Sequence, residues 1–223
     1  MDTTQPVTSK PSEPQTVVRT GRGGADKSQR GDKSQRILDA AVAVIAEKGY
    51  WQARVSEIAD RAGVADGTIY LYYKNKEQLL MAAIDSAFDA FLERARRDLA
   101  GIKAPRQRLH RLAFLHLDML GANRNLAIVF QTELRHSAKF LAQFSRHRLV
   151  EYFDMIRSIV REGQQSGEFR AGVSDKIAAN CLFGALDEMV TSWMLSEHDY
   201  PLAGAADAVV DVVLVGLESS GRR

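Results

Sequence analysis

The chain has 223 residues, of which 45% are hydrophobic and 26% charged, and its formal net charge is +2 at pH 7. This composition is ordinary for a soluble globular protein and allows one substantial core or two small ones. The single cysteine, Cys181, excludes an intramolecular disulfide framework, and we expect it to be a small buried hydrophobe in a cytoplasmic protein. We expect no membrane association, because the N-terminus lacks an apolar signal segment and no apolar run approaches the ~20 residues that span a bilayer.

Residues 1–31 are rich in Pro, Thr, Ser, Gln and Gly and have almost no large apolar side chains, which predicts a disordered arm. The sequence DKSQR occurs in this arm at Asp26 and is repeated from Asp32, where the second copy leads into a helix. Between Arg19 and Arg36 six basic residues stand against two acidic ones, so the arm is basic. It is either a solubilising tail or a flexible arm that reaches nucleic acid phosphates or the minor groove.

Residues 32–78 show the pattern of three short helices. The first helix is predicted over 33–48 and ends at Gly49. The second starts at Val55 and carries apolar residues at spacings of three and four, and Gly63 then forms a tight corner. The third is predicted over 66–73, with Asp66 rather than Ala65 as its N-cap. Two helices joined by such a short corner predict a helix-turn-helix.

The third helix is predicted to bury Ile69 and Tyr73 and to expose its other aromatic residues. Tyrosine and threonine hydroxyls reach DNA phosphates, and Leu71 can contact a thymine methyl group in the major groove. Asn75 is predicted to cap the next helix with Gln78 at the capping-box position. The predicted DNA-binding residues are Arg54, Ser56, Gly67, Thr68, Tyr70, Leu71, Tyr72, Lys74 and Lys76.

These residues resemble the DNA-binding domain of the TetR family of bacterial transcription regulators. The family signature is matched by Ile58-Ala59, Ala62-Gly63-Val64, Gly67-Thr68-Ile69-Tyr70, Tyr72, Lys76 and Leu79. The chain departs from it at two capping positions, with Arg54 where many members have Thr and Ala65 where many have Ser. The resemblance implies an all-α, TetR-like fold, with a helix-turn-helix DNA-binding domain at 32–78 and a helical ligand-binding and dimerisation domain at 79–223.

The remainder of the chain is predicted to be helical, because no segment shows sustained period-two alternation. Helices are predicted over 76–100, 105–121, 125–135, 140–165 and 201–217, with another starting near Ser174. The helix over 76–100 is long enough to pack against both halves. It is therefore the expected connection between the DNA-binding unit and the rest.

The second half carries more bulky apolar residues than simple helix faces need, beside a basic run. Core packing and a solvated surface would explain both features. An apolar cavity with a basic mouth, suited to an acyl chain on a phosphorylated carrier, is the functional alternative. The predicted pocket residues are Phe88, Phe91, Leu115, Met119, Phe130, Tyr152, Met155 and Phe183. The predicted phosphate ligands are Arg94, Arg97, Lys103 and Arg106.

The last two helices are apolar over a wider arc than one packing partner requires. Core burial is one explanation and a second subunit is the other; the TetR resemblance implies a homodimer through these helices. The predicted interface residues are Ala185, Met189, Val209, Val212 and Gly216.

Catalytic and metal-binding patterns are not expected in this chain. The five histidines include no pair at the i, i+4 ligand spacing, and neither a nucleophile elbow nor a phosphate-binding glycine loop occurs. We predict no metal, no cofactor and no enzymatic activity. A helical enzyme acting on a lipid, the remote alternative, would need a polar catalytic constellation.

The segments VADGTIYLY (64–72) and FGALDE (183–188), with Trp193, resemble the FadR-like branch of the TetR family. That resemblance implies a repressor of fatty-acid metabolism genes that binds a palindromic double-stranded DNA operator and is released by long-chain acyl-CoA. A TetR-type repressor of an efflux or other gene, responding to another hydrophobic small molecule, is the alternative.

Overall fold

The computed structural model describes residues 1, 23–135, 138, 140, 142, 148–198 and 200–217. Within these ranges the backbone forms nine α-helices and no β-strand, which confirms the predicted all-α fold. None of these described helices is long and apolar enough to cross a membrane. The helices are α1 (Gly23–Gln52), α2 (Val55–Ala62), α3 (Asp66–Tyr72), α4 (Lys76–Ala100), α5 (Pro105–Gly121), α6 (Arg124–Val129), α7 (Val150–Gln165), α8 (Asp175–Leu195) and α9 (Ala206–Val215). A π-helical segment (Phe130–Leu134), called the π-turn below, continues α6, and a 3₁₀ turn (Leu202–Ala205) precedes α9.

Helix α1 starts ten residues before the predicted position, so the expectation of disorder is wrong for residues 23–31. The repeat is built mainly of Lys, Gln and Arg, which are good helix formers. Its second copy is supported by an i, i+4 ion pair between Arg36 and Asp32 at 3.7 Å. Residues 2–22 of the predicted arm lie outside the described residues. Gly49, with φ 76°, ends the straight part of α1 as predicted, in a conformation that side chains disfavour.

Helices α1 to α3 pack into a small apolar core. One isoleucine of each helix lies in it, and Ile37, Ile58 and Ile69 are at most 1% exposed. The N-cap of α3 is Ala65, not Asp66 as predicted, and it provides no side-chain hydrogen bond. The N-cap of α2 is Arg54, whose N–H donates to the Glu57 carboxylate at 3.1 Å. This helix start is therefore held by Glu57 in place of a capping hydroxyl.

Helix α4 connects the two halves, packing against α1 near its start and against α5 further on. Its buried residues run along the whole helix, from Leu79 to Leu99. Helices α5, α7, α8 and α9 complete the second half. Cys181 is exposed on α8, contrary to the prediction, because it lies on the face of α8 that also exposes Ile177 and Gly184.

Candidate DNA-binding surface and effector site

Helix α3 presents the surface that its sequence predicts. Ile69 and Tyr73 are buried, whereas Tyr70 is 54% and Leu71 83% exposed. Gly67 is exposed as well, and Thr68 and Tyr72 are half-buried. The Tyr73 hydroxyl is hydrogen-bonded to the Ser34 hydroxyl of α1 at 2.8 Å, which anchors the end of α3. An exposed tyrosine and leucine on a firmly anchored short helix form a surface suited to reading the major groove.

The turn between α3 and α4 is fixed by side chains. The Asn75 side chain accepts a hydrogen bond from the Gln78 N–H at 2.8 Å, which confirms the predicted cap. In return the Gln78 side chain accepts from the Lys74 N–H at 2.7 Å. Lys74 and Arg54 are exposed and Ser56 is half-buried, so the side chains of Lys74 and Arg54 can reach a DNA backbone.

Lys76 has a different place from the one predicted. Its ammonium donates to the carbonyl oxygens of Tyr50 at 2.6 Å and Ala53 at 2.8 Å, and lies 4.6 Å from the centroid of the Tyr50 ring. Burial lowers its pKa, and the Glu133 carboxylate opposes that shift. These contacts direct Lys76 into the protein, so it ties α4 to the end of α1 and does not present its charge to phosphate.

Five of the predicted pocket residues form one aromatic cluster between α4, the π-turn, α7 and α8. The ring centroids of Phe88 and Phe91 are 5.3 Å apart, and those of Phe91 and Tyr152 are 5.2 Å apart. Phe183 lies 6.0 Å from Tyr152, and Phe130 lies 6.3 Å from Phe88. Leu115 is buried in the same core. Met119 and Met155 are partly exposed and pack against this core. The aromatic cluster fills the space predicted for the ligand.

A polar pair lies inside the aromatic cluster. The Nδ1 atom of His116 is 2.9 Å from the Tyr152 hydroxyl, and both residues are buried. Burial lowers the pKa of His116 to about 4 and raises the pKa of Tyr152. Sequence reasoning considered His116 only as a metal ligand and missed this pair. The available signal was a histidine in the middle of an otherwise apolar face of α5.

A groove of about 410 Å³ lies between α4, α5 and α7, and its lining includes Arg96, Leu99, Arg108, Glu151 and Met155. Both arginines make ion pairs there: Arg96 with Glu151, and Arg108 with Glu162. Apolar side chains and guanidinium groups therefore meet in this groove, whose lining also carries the carboxylates of Glu151 and Asp154.

The predicted phosphate ligands are not brought together. Arg94 pairs with Asp118 at 2.6 Å, while Arg106 faces Glu168 at 4.0 Å and Asp211 at 3.9 Å. Arg97 and Lys103 are exposed elsewhere. Residues two apart on a helix point to different sides, so Arg94 and Arg106 lie away from the groove that Arg96 and Arg108 line. The same basic run instead places Arg96 and Arg108 in the groove.

Large apolar side chains remain uncovered on α8 and α9, and together they are called the uncovered apolar surface below. Ile177 and Leu195 of α8 are 60% and 78% exposed, and Val212 and Val215 of α9 are 76% and 72% exposed. Among the predicted interface residues Gly216 is also exposed, and Ala185, Met189 and Val209 are half-buried beside this surface. In the described part of the chain no group of three metal-ligating side chains occurs.

A helix-turn-helix with an outward-facing third helix, joined through one long helix to a helical domain with a buried aromatic cluster, defines a DNA-binding regulator with an effector domain. The chain belongs to the TetR family. Residues 37–83 match the family described as bacterial regulatory proteins, tetR family, and residues 84–216 match the YsiA-like protein, C-terminal region.

The chain is similar to the fatty acid metabolism regulator protein of Bacillus subtilis, with 39% identity over 191 residues that cover 86% of this chain and 98% of the relative. It also resembles the crystal structure of the B. subtilis regulator FadR in complex with stearoyl-CoA, at 40% identity and a TM-score of 0.76, over 82% of this chain and 98% of that one. The fatty acid degradation regulator FadR of Bacillus halodurans gives 38% identity and a TM-score of 0.75, over 84% and 98% of the two chains. The family and these relatives are regulators, which excludes the lipid-enzyme alternative.

Proposed function

We propose that the protein is a homodimeric repressor of fatty-acid metabolism genes that binds a palindromic operator and releases it on binding long-chain acyl-CoA. The observation that carries the proposal is the 39% identity with the B. subtilis fatty acid metabolism regulator over nearly its whole length. The aromatic cluster supports it, because its apolar rings suit a hydrocarbon chain. We place its action in the cytoplasm, where the operator is.

Two DNA-binding domains, one from each protomer, act together on the operator. One α3 helix spans too few base pairs for useful specificity, so two protomers related by a two-fold axis read the two halves of the operator. Their α3 helices would lie about 34–36 Å apart to meet successive major grooves. The uncovered apolar surface on α8 and α9 is the interface that we assign to this pairing.

The effector half holds acyl-CoA along the seam between α5 and α7. The acyl chain enters the aromatic cluster and the phosphates lie at the groove, where Arg96 and Arg108 replace the set first predicted. Arg96→Ala should then weaken the binding of stearoyl-CoA more than the binding of stearate, because only stearoyl-CoA carries phosphates. Arg97→Ala, one residue along α4 but outside the groove lining, is the matched control and should leave both affinities unchanged.

Helix α4 links the two sites. Its start packs against the DNA-binding unit and its later part carries Phe88 and Phe91 of the aromatic cluster. A ligand that separates these rings displaces α4 and changes the spacing of the paired α3 helices. We expect a linkage of roughly 1–3 kcal/mol, or about 5- to 150-fold in operator affinity.

The experiment starts by selecting binding sites from a random duplex pool, which should enrich an inverted repeat. Titration calorimetry then measures the affinity for stearoyl-CoA with and without saturating operator. Reciprocity requires that operator weakens stearoyl-CoA binding by the same factor as stearoyl-CoA weakens operator binding. Equal ligand affinities in the two titrations would contradict the mechanism. A thermal-shift panel of acyl-CoAs against other hydrophobic molecules separates this effector from the efflux-type alternative.

A further inference from the structure

His116 is a buried polar side chain that DNA binding does not use. It is 5% exposed, and the rings of Phe91, Tyr152 and Phe183 surround it at centroid distances of 6.4, 5.6 and 5.9 Å. Its Nε2 atom is buried without a hydrogen-bond partner in the described part of the chain. A buried polar atom without a partner costs stability, so its retention points to a partner that the protein binds.

The hydrogen-bond inventory fixes what this atom offers. With the neutral imidazole, the Tyr152 hydroxyl can donate to Nδ1, which leaves one unpaired group, the Nε2–H donor. The opposite arrangement, with Nδ1–H donating to the phenol oxygen, leaves both the phenol proton and Nε2 unpaired. The first arrangement leaves fewer unpaired groups. His116 therefore offers one neutral donor inside the aromatic cluster.

This donor and the Tyr152 hydroxyl lie on α5 and α7, two of the helices that line the groove. Arg108 and His116 lie eight residues apart on the same face of α5, which is about 12 Å along the helix. On α7, Met155 of the groove and Tyr152 of the aromatic cluster are three residues apart on one face. A linear ligand with its anionic group at Arg108 can therefore reach His116 along this seam.

We propose that His116 Nε2–H binds the carbonyl oxygen of a neutral acyl group, in this protein the thioester carbonyl of acyl-CoA. The inference rests on the proposed function and adds the protein group, His116 Nε2–H, that recognises the thioester of the ligand. A thioester oxygen satisfies the donor without bringing a charge into the aromatic cluster. A free carboxylate would lose its hydration there for a single neutral hydrogen bond, so the site favours the thioester.

The first measurement uses the unmodified protein. Calorimetry compares stearoyl-CoA with S-octadecyl-CoA, a thioether that keeps the chain and the phosphates but lacks the carbonyl. We expect the thioether to bind about tenfold more weakly, the value of one buried hydrogen bond. Infrared spectra of stearoyl-CoA labelled with ¹³C at the carbonyl should show its stretch move to lower frequency on binding.

Two variants separate hydrogen bonding from shape. His116→Phe removes the donor and should abolish both the preference for stearoyl-CoA and the infrared shift. His116→Gln keeps an N–H donor and should retain part of each. Because the unmodified protein is tested against both ligands, the proposal is decided even if His116→Phe does not fold.

The results also distinguish this inference from the proposed function. If both CoA ligands bind equally and both release operator, the acyl-CoA function stands and the carbonyl assignment falls. If neither ligand binds, the function and the carbonyl assignment fall together. A tenfold preference with an unshifted carbonyl stretch would also overturn the hydrogen bond.

Discussion

The Glu133 carboxylate, in the π-turn, accepts a hydrogen bond of 3.0 Å from the backbone N–H of Tyr50, directly after the Gly49 kink of α1. The carbonyl oxygen of the same Tyr50 accepts from Lys76 at the start of α4 at 2.6 Å. One residue of α1 is thus bonded both to the effector half and to the helix that follows the DNA-reading surface. Through these two backbone hydrogen bonds, Tyr50 joins the DNA-binding half to the effector half.

Removing the hydrogen bond between Glu133 and Tyr50 should lower the stability of the protein. It should also weaken the coupling between stearoyl-CoA binding and operator binding. Glu133→Ala removes the carboxylate that accepts from the partly buried N–H of Tyr50, and we expect the free energy of unfolding in urea to fall by about 1–2 kcal/mol. Stearoyl-CoA should also lower operator affinity by a smaller factor in this variant. Glu133→Gln keeps a carbonyl acceptor and serves as the control, with most of both quantities retained. An alanine variant with unchanged linkage would show that the signal bypasses Tyr50.

Lys74 and Lys76 should differ in their effect on DNA binding although both are lysines at the same turn. Lys74 is exposed, so Lys74→Ala should reduce the salt dependence of operator binding by about one unit of slope. Lys76 is held by carbonyl oxygens, so Lys76→Ala should lower stability and overall affinity while the slope stays constant. Fluorescence anisotropy at several salt concentrations measures both. A reduced slope for Lys76→Ala would return that residue to the phosphate contacts.

Leu71 should contribute to sequence discrimination rather than to general affinity. It is 83% exposed on α3, where an apolar side chain can meet a thymine methyl group. Leu71→Ala should reduce the preference for one base pair in each half-site by about 1 kcal/mol, and binding to unrelated DNA should not change. Competition assays with singly substituted operators test this expectation. Equal losses on specific and unrelated DNA would instead indicate a misplaced helix.

The exposed valine of α9 should control assembly. Val212→Asp places a charge on the uncovered apolar surface, and we expect monomers by light scattering together with loss of operator binding. Val150, which is 50% exposed on α7, provides the matched control. Val150→Asp introduces the same charge outside the proposed interface and should leave the dimer intact. A stable Val212→Asp dimer would move the interface elsewhere.

Acid should destabilise the protein through His116. Burial lowers its pKa from the ordinary 6.5 to about 4, so between these pH values the unfolded chain holds a proton that the folded chain lacks. The free energy of unfolding should therefore fall by about 3 kcal/mol as pH decreases through this window. Urea unfolding at pH 7 and pH 4 should show a loss smaller by that amount in His116→Gln, which cannot take up the proton. The same loss in both proteins would mean that burial does not lower the pKa of His116.

The helix-turn-helix was predictable because its signals are local. Gly63 ends α2, and Asn75 with Gln78 starts α4, through contacts within a few residues of chain. The orientation of α3 followed from the spacing of Ile69 and Tyr73 alone. In each case neighbouring residues determine the backbone, so a single sequence contains the necessary information.

The predictions that were wrong or incomplete concern contacts between distant parts of the chain. Lys76 matched a DNA-contacting position, but the carbonyl groups that bind it are more than 20 residues earlier. The pairing of His116 with Tyr152 spans 36 residues and depends on how α5 and α7 pack. Likewise, a basic run does not reveal which arginines share a groove until the helices are placed. Such contacts decide the chemistry of the effector site.

The π-turn closes its hydrogen-bonded rings with one residue more than an α-helix uses. Each residue advances a helix by about 100° of rotation. The additional residue therefore changes the direction, around the helix axis, of every side chain that follows. With it, Phe130 stacks on Phe88 while Glu133 points to Tyr50. A chain shortened by one residue here would swing that carboxylate more than a quarter of a revolution away. It would keep both halves of the protein but lose the hydrogen bond between Glu133 and Tyr50 that joins them beside α4.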